Sequence, residues 1–393
     1  DASQGTLNVR HEGKPSSGET TGGFDTYQNY AIRSFAVRVE TGSVTIAKGE
    51  ITNKVGGGVY VSGTGNVFLG ENGNTTPEGV LSVRVEDNET VNKSWVFETP
   101  VRPADGMAGN WAYRLNQYGG PAVEVNGGYL HIYNGTYTTQ QGDGIIIRNG
   151  EALIQNGYFY GNDSYKTDQN AIAGPGASYA LKVYSGTVTV KNGTFGSYPS
   201  QTNGSLISSD GSGAFVMGDS SESLGTANIY GGTFSVNGQA GFSIYQYANV
   251  VFGETVGSPE SYEVAAIKVS GTACAIAIEP SSASTIITIQ NGYFRSIETR
   301  SGQDSNGIWY GNENAVLTIE GGTLVGQARA GLYFNIRPGT NALGTGANNV
   351  QISGGIFQAL TRDNIQSYNP LFGSEWWCYG AISATGDRRI NSY

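Results

Sequence analysis

Apolar and polar residues alternate along much of the chain in short stretches, as in Ala36-Val-Arg-Val39 and Ala180-Leu-Lys-Val183. A period of two places every second side chain on the same face of a strand. Each stretch is therefore expected to be a short β-strand with one apolar and one polar face. No helical segment is predicted between these stretches, so the pattern favours an all-β protein.

Two templates recur along the chain. The first consists of an aliphatic residue, any residue, Asn or Gly, Gly, any residue, and an aromatic or aliphatic residue. Its copies begin at Ile132, Ile154, Val190, Ile229, Ile289, Ile319 and Ile352, and a looser copy begins at Ile46. Gly adopts the positive φ of a sharp corner, and Asn tolerates it. Each copy therefore predicts a corner between two strands.

The second template precedes most copies of the first and consists of Gly or Ala followed by alternating apolar residues. Its copies start at Ala36, Gly58, Ala122, Gly144, Ala180, Ala214, Gly241, Ala266, Gly307 and Gly331, with a diverged unit at 79–85. The starts recur about every 30 residues. Each repeat therefore contains an opening strand, a middle strand before the glycine corner, and a closing strand after it.

Three short strands per repeat, without helices, predict an all-β, single-domain, right-handed parallel β-helix of about eleven coils. A β-sandwich is the rival fold, but its antiparallel hairpins would not repeat one strand order at one interval. The ends of such a stack expose strand edges that need covering. We therefore divide the chain into an N-terminal cap (1–35), the β-helix (36–360) and a C-terminal cap segment (361–393).

Equivalent inward residues of successive repeats should stack in columns. The expected aliphatic column contains Ile154, Val190, Ile229, Ile289, Ile319 and Ile352. The expected aromatic column contains Phe159, Phe195, Phe234, Phe294 and Phe357, interrupted by Leu324. A further column of Asn side chains is possible at Asn134, Asn156, Asn192 and Asn291.

Composition and charge narrow the function classes. Glycine accounts for 60 of 393 residues, and 32 Asp and Glu outnumber 22 Lys and Arg, for a net charge of −10. A negative surface disfavours nucleic-acid binding. The apolar runs are shorter than the roughly 18 residues of a membrane span. We therefore expect neither nucleic-acid binding nor membrane insertion, and we expect a monomer.

The chain has two cysteines, Cys274 and Cys378. Several coils at about 4.8 Å each would separate them, which exceeds the Cα separation of about 7 Å that a disulfide allows. Two thiols are therefore expected. A disulfide between the two cysteines remains the alternative if the C-terminal segment folds back along the stack.

The opening strands, the glycine corners and the Asn-Gly-Thr-Phe motif at 192–195 together resemble the right-handed β-helix proteins of the pectin-lyase-like superfamily. The resemblance covers residues 36–360. The segment 56–65 is also similar to Gly-rich repeats of bacterial cell-surface β-helix proteins and adhesins. These resemblances imply the fold and a secreted or cell-surface location, but they imply no single activity, because the superfamily includes lyases, hydrolases, esterases, phage tailspikes and adhesins.

The motifs that would identify an enzyme of this superfamily are missing. The sequence has no Asp-Asp pair, His11 and His131 precede Glu and Ile instead of Gly, and Arg102-Pro103 and Arg337-Pro338 are only fragments of a pectate-lyase pattern. No catalytic residue is therefore carried over. Whether the protein is an enzyme stays open.

Acidic residues fall in the long connections that follow several closing strands. Asp163, Asp168 and Asp304 are candidates for catalysis, because two carboxyl groups about 5–10 Å apart can hydrolyse a glycoside. A cluster of them could instead bind calcium. Solvated or turn-capping acids are the ordinary alternative. No other cofactor and no metal site is predicted.

Aromatic residues near the same connections are candidates for ligand binding. They are Trp309, Tyr310, Tyr160, Tyr165 and Tyr293. Flat aromatic rings bind the apolar faces of sugars, and their polar tips reach hydroxyl groups. Trp309 alternates with Ile308 and Tyr310, which predicts that its side chain points outward. Packing beneath a loop is the alternative role.

Together these features predict a secreted or cell-surface protein that binds a polysaccharide or other glycan, or a host or matrix partner. The binding groove would be lined by the stacked connections. One alternative is a polysaccharide lyase or glycoside hydrolase of an atypical pectin-lyase-like subfamily. A second alternative is a structural spacer or stalk.

Overall fold

The structure is a computed structural model of the chain. It describes residues 7–11, 35–53, 57–85, 121–139, 141–163, 179–197, 213–235, 240–253, 267–271, 274–281, 283, 285–297, 305–327, 330–335, 349–360 and 382–384. These residues form strands and turns, and they contain no helix. In particular, the described ranges hold no helix of the length and hydropathy that crossing a membrane requires.

The strands form three parallel ladders, each made of one strand from every repeat. The opening ladder consists of Phe35–Val39, Gly57–Leu69, Val123–Ile132, Ile145–Ile154, Leu181–Val183, Ala214–Val216, Ala240–Ile244, Cys274–Ile278, Asn306–Tyr310, Leu332–Phe334 and Ile382–Ala384. The closing ladder consists of Leu7–His11, Gly49–Asn53, Leu81–Val85, Thr136–Thr139, Tyr158–Asp163, Thr194–Ser197, Gly232–Ser235, Ile267–Gly271, Tyr293–Ser296, Thr323–Gly326 and Ile356–Ala359.

The middle ladder shares three long strands with the opening ladder. It consists of Ser43–Ile46, the second halves of Gly57–Leu69, Val123–Ile132 and Ile145–Ile154, and then Thr187–Val190, Gly225–Ile229, Ala248–Phe252, Thr285–Ile289, Ala315–Ile319 and Val350–Ile352. A two-residue strand, Gln141–Gly142, pairs antiparallel with Tyr158–Asp163.

The inward side chains of the three ladders enclose one apolar core. Equivalent residues of successive repeats lie opposite each other, as Val190 does with Ile154 and Ile229. The prediction of an all-β, parallel, solenoid-like arrangement is therefore confirmed.

Glycine forms the corner between the middle and closing strands, as predicted. Gly193 has a φ of +136°, and the corner glycines of other repeats also have positive φ: Gly135, Gly157, Gly232, Gly292, Gly322 and Gly355. The next residue, Thr194, donates its N–H to the carbonyl oxygen of Gly157 over 2.9 Å. A Cβ at Gly193 would lie 3.2 Å from that same oxygen. The corners of successive repeats are therefore in close backbone contact.

The corner Asn side chains form hydrogen bonds with backbone groups. The Oδ1 atoms of Asn156 and Asn291 accept hydrogen bonds of 3.0 and 2.7 Å from the N–H of the glycine that follows each of them. Asn134 is buried, and its amide nitrogen donates to the carbonyl oxygens of Glu71 and Asn74. The Oδ1 contacts of Asn156 and Asn291 stabilise their own corners, whereas Asn134 connects its corner to the preceding repeat.

The aromatic column is confirmed in its first half. Phe159 stacks on Phe195 with ring centroids 4.7 Å apart, and Phe195 stacks on Phe234 at 4.4 Å. Val269, and not Phe294, follows Phe234 in register, and Phe294 follows Val269. Val269 therefore separates Phe234 from Phe294 in the closing ladder, where a direct contact between the two rings was expected.

The presence of Val269 between the two phenylalanines reflects an error in the predicted repeat boundaries. The stretch beginning at Ala266 was expected to open a repeat, but Ile267–Gly271 is a closing strand. The opening strand of the next repeat is Cys274–Ile278. Similarly, Leu81–Val85 is a closing strand and not the start of a diverged unit. Opening and closing strands are both short and alternating, so their pattern alone does not separate them.

Two strands lie within the segments predicted as caps. Leu7–His11 extends the closing ladder at one end, and Ile382–Ala384 extends the opening ladder at the other. Cys274 is buried, whereas Cys378 lies outside the described residues. The expectation of two thiols therefore stays a prediction.

Candidate functional site

Four of the predicted ligand-binding aromatic residues lie within the described ranges, two in the opening ladder and two in the closing ladder. Trp309 is half-buried on the outward side of the opening ladder, in register with Ala277 and Tyr333. Tyr160 and Tyr293 are half-buried in the closing ladder, with the strands of three other repeats between them. The structure therefore separates Trp309 from the two tyrosines.

Tyr310 corrects the prediction. Only 1% of its surface is exposed, and its hydroxyl group donates to the carbonyl oxygen of Ala315 over 2.5 Å. It lies in register with Ile278 and Phe334 on the core side of the opening ladder. The expected outward or loop-adjacent position is wrong because neighbouring residues of a strand face opposite sides, and Trp309 takes the outward one.

Of the three predicted acids, only the backbone of Asp163 lies within the described part of the chain. Asp163 ends the closing strand Tyr158–Asp163, where its backbone pairs with Gln141. Asp168, Asp304 and Tyr165 lie outside the described residues, so their roles stay predictions. Among the residues that the structure does describe, no group of three or more His, Cys, Asp or Glu side chains could hold a metal ion.

A different set of polar and aromatic residues gathers on the outward face of the opening ladder. We call it the opening-face cluster, and it consists of Asp143, Tyr179, Lys182, Phe215, Tyr245 and Glu279. Phe215 and Lys182 lie side by side in this face, and both are buried. Outward positions of a sheet are ordinarily solvated when nothing packs on them. Burial of a lysine there requires a partner for its charge.

Ion pairs satisfy the charges at one end of this cluster. Lys182 Nζ lies 2.9 Å from Asp143 Oδ2, and the backbone N–H of Tyr179 donates to Asp143 Oδ1 over 2.7 Å. Beside them, Arg148 Nε lies 2.7 Å from Glu124 Oε1. Both cations also lie over aromatic rings, at 5.3 Å from the ring centroids of Tyr179 and Tyr184, respectively.

Aromatic rings connect these ion pairs to Glu279. The ring of Phe215 lies 5.2 Å from that of Tyr179 and 5.0 Å from that of Tyr245, between centroids. Burial raises the pKa of both tyrosines, and the carboxyl group of Glu279 raises that of Tyr245 further. The two phenol groups are therefore neutral hydrogen-bonding groups at physiological pH.

Glu279 is the charged residue of the opening-face cluster that has no ion-pair partner among the described residues. It follows the buried strand Cys274–Ile278, and its N–H donates to the carbonyl oxygen of Ile244 over 2.9 Å, which places it beside Tyr245. Burial raises the pKa of its carboxyl group from 4.5 to about 7. Within the part of the chain that the structure describes, its side chain makes neither a hydrogen bond nor an ion pair.

Trp309 flanks Glu279 from the following repeat. Gly311 is the neighbour of Glu279 in that repeat, since its N–H donates to the carbonyl oxygen of Ile278 over 2.9 Å. A Cβ at Gly311 would lie 2.4 Å from the Cζ3 and Cη2 atoms of Trp309, so the indole occupies the space that a side chain would need. We call Tyr245, Glu279, Trp309 and Gly311 the Glu279 site.

A strained backbone borders this site. Tyr247, two residues after Tyr245, has a φ of +54°, and it is the one non-glycine residue with a positive φ in the described ranges. Such strain persists only where the surrounding structure holds it, and it is frequent at functional sites. Its carbonyl oxygen accepts a hydrogen bond of 3.1 Å from the N–H of Gly225.

Sequence reasoning identified only one residue of the Glu279 site, Trp309. The available signal for Glu279 is an acid directly after five buried residues and directly before Pro280. Tyr245 carries no such signal, because its proximity to Glu279 depends on the pairing of two repeats. Asp143 and Lys182 likewise lie in different repeats, and their contact depends on the pairing of those two repeats.

A second aromatic group lies on the middle ladder. This middle-face patch consists of Phe68, Tyr129, His131 and Tyr133, all half-buried, with ring centroids 4.1 to 6.2 Å apart. His131 points outward as predicted, and burial lowers its pKa. Glu151 lies in register with Tyr129, and burial and the Glu151 carboxyl group raise the pKa of Tyr129. In contrast to Glu279, this acid is exposed.

Comparison with known proteins gives no relative for this chain: no protein-family model, no curated protein and no solved structure matches it. The chemistry of its surface is therefore the ground on which a function is inferred.

Proposed function

We propose that this chain is a single right-handed parallel β-helix of the pectin-lyase-like type, with about eleven coils, and that it binds a polysaccharide outside the cell. Three parallel ladders in register, one shared core and glycine corners support the fold. About 98% of the crossover connections between parallel strands of one sheet are right-handed, which supports the hand.

The observation that carries the binding function is the arrangement of the Glu279 site. Tyr245 and Trp309 are half-buried residues of the repeats before and after Glu279, and the indole of Trp309 lies over Gly311, the neighbour of Glu279. Aromatic rings bind the apolar faces of sugar rings, and a carboxylate accepts hydrogen bonds from hydroxyl groups. The three side chains together offer the two kinds of contact that a sugar needs.

The ladder geometry favours an extended polymer as the ligand. Adjacent strands lie about 4.8 Å apart, so a chain that runs along the stack meets a new row of side chains at every repeat. Tyr184, Tyr245 and Glu279 occupy the same outward position in their repeats, and Trp309 lies in the repeat that follows Glu279. A polysaccharide is therefore a better match than a single sugar.

Cleavage of the polysaccharide is the less favoured alternative. Glycoside hydrolysis ordinarily uses two carboxyl groups that flank the scissile bond. Asp143 and Glu124 are both engaged in ion pairs, which leaves Glu279 as the one unpaired acid that the structure describes in the opening-face cluster. This arrangement supports binding more than hydrolysis.

A glycan array with three forms of the full chain tests the proposal. We expect the wild-type protein to bind one class of polysaccharide, and Trp309→Ala to weaken that binding about tenfold, or 1.4 kcal/mol. Tyr129→Ala is the matched control, since it removes an aromatic ring from the middle face and should leave binding unchanged.

Three results would count against the proposal. Loss of binding in Tyr129→Ala but not in Trp309→Ala would move the site to the middle face. Absence of any glycan above background would contradict carbohydrate binding and favour a spacer or a protein partner. Release of reducing ends or unsaturated products would favour the enzyme alternative.

A further inference from the structure

The charges of the opening face are paired in all but one place. Lys182 pairs with Asp143, and Arg148 pairs with Glu124, whereas no cation in the described part of the chain pairs with Glu279. A carboxylate that is withdrawn from water without a partner is costly, and it responds by holding its proton more tightly. A cationic ligand would supply the missing partner.

The surroundings of Glu279 suit an organic cation. Tyr245 lies on one side in the preceding repeat, and Trp309 lies on the other side across Gly311. The faces of aromatic rings attract cations, and tryptophan does so most strongly. A carboxylate between two such rings therefore offers a charge pair and cation–π contacts at once.

The same surroundings disfavour a metal ion. Calcium takes six to eight oxygen ligands, most of them from carboxylates and carbonyl groups. Within the described residues Glu279 belongs to no group of acids, cysteines or histidines that could supply them. An ammonium group needs fewer acceptors, since it carries three N–H donors.

We infer that the Glu279 site binds a primary ammonium group, so that the polysaccharide recognised here carries free amino groups on its sugars. This inference rests on the proposed carbohydrate-binding function and names its ligand class. The net charge of −10 would further favour the approach of a polycationic chain.

Proton binding to Glu279 competes with the ammonium group. The pKa of the carboxyl group is raised to about 7 by burial, so the affinity for an alkylammonium ligand should rise as the pH passes through about 7 and then level off. An amino sugar loses its own proton near neutral pH, so its affinity should pass through a maximum there. Among the described residues, the titratable groups that face Glu279 are Tyr245 and, beyond it, Tyr179, and both stay neutral in this range. Gly311 and Trp309 on the other side do not titrate.

Calorimetric titration of the full chain tests this inference with three ligands. They are a β-1,4-linked glucosamine oligosaccharide, its N-acetylated counterpart of equal length, and spermidine, which carries ammonium groups without a sugar. The amino groups of a glucosamine oligosaccharide lose their protons near neutral pH, so the two oligosaccharides are compared at about pH 7, where we expect the glucosamine oligosaccharide to bind at least about fivefold more tightly than the acetylated one. The alkylammonium groups of spermidine stay protonated at about pH 8, and the affinity for spermidine should fall about tenfold between about pH 8 and about pH 6, where roughly nine-tenths of the Glu279 carboxyl groups are protonated.

Two variants test whether the charge of Glu279, and not a change in folding, determines the ligand preference. Glu279→Gln keeps the shape of the side chain, and it should abolish both the preference for free amino groups and the pH dependence. Glu50→Gln removes an exposed acid of the closing ladder and should change neither. Unchanged thermal unfolding and circular dichroism would show that both variants are folded.

The outcomes distinguish this inference from the proposed function. Equal affinity for the two oligosaccharides, or a preference that survives in Glu279→Gln, overturns the ammonium site while carbohydrate binding stands. Binding of spermidine that depends on Glu279, without binding of either oligosaccharide, supports the ammonium site and contradicts carbohydrate binding. A flat pH profile for the binding of spermidine to the wild-type protein also overturns the inference.

Discussion

At the scale of single residues, the repeat depends on the glycine between the middle and closing strands. Gly193 combines a positive φ with close contacts to the Gly157 carbonyl oxygen and to two phenylalanine rings. Any other residue there would meet both backbone strain and a steric clash. The corner therefore restricts sequence more strongly than a solvent-exposed turn does.

Gly193→Ala should lower the free energy of unfolding by about 2–3 kcal/mol, the sum of an unfavourable φ and a displaced neighbour. Gly42→Ala is the matched control. Gly42 has a φ of +76° with no atom within 4 Å of an added Cβ, so its loss should be only about 1 kcal/mol. Urea denaturation measures both, and equal losses would show that the contact between corners contributes nothing.

The sequence was most informative about residues whose role depends only on the strand pattern. Alternation placed Trp309 outward, and the same rule, applied consistently, would have placed Tyr310 in the core. Glu279 could not be identified in this way. Its unpaired charge follows from the identity of Tyr245 in one neighbouring repeat and of Gly311 in the other.

At the scale of elements, stacked aromatic rings link the repeats through the core. Phe234 contacts Phe195 at 4.4 Å and Phe242 at 4.7 Å between ring centroids, and it is fully buried. Phe242 in turn contacts Phe252 at 5.0 Å. The rings thus remain continuous where the closing ladder itself changes to Val269.

Phe234→Ala should destabilise the protein by about 3–5 kcal/mol, because it leaves a cavity among rings on both sides. Phe357→Ala, at a half-buried position of the last closing strand, should cost less. Thermal and urea denaturation would compare the two. A negligible change in the melting temperature of Phe234→Ala would contradict the role of the column.

The wrong ladder predicted for the strand Ile267–Gly271 has a physical cause. Ile267–Gly271 follows a long connection, and the middle strand before it ends at Phe252-Gly253 without the Asn-Gly-Thr-Phe motif. Its alternation suits an opening or a closing strand equally well. Only its pairing with Gly232–Ser235 decides its ladder, and that pairing is a contact between repeats.

At the scale of the whole molecule, each repeat contacts chiefly its two neighbours through the three ladders. In such stacks the stability is approximately a sum of repeat terms and interface terms. A repeat at the end has one described interface where a central repeat has two. The exposed apolar residues of the last described repeat, Ile352, Ile356 and Leu360, fit this difference.

Amide hydrogen exchange should therefore vary along the stack. We expect amides of the central strand Gly225–Ile229 to exchange at least about 100-fold more slowly than those of the terminal strand Val350–Ile352. Mass spectrometry of peptides from the two regions measures this. Equal protection of both strands would indicate that the molecule opens only as a whole.

The ladder hydrogen bonds all run from one repeat to the next, and this direction has a mechanical consequence. Leu7–His11 and Ile382–Ala384 lie at opposite ends of the ladders, so a pull on them acts along these bonds. The outermost repeat then carries the load, while the repeats behind it keep both interfaces. Under force the chain should lengthen in successive steps of about 30 residues, one repeat at a time, and not in a single rupture.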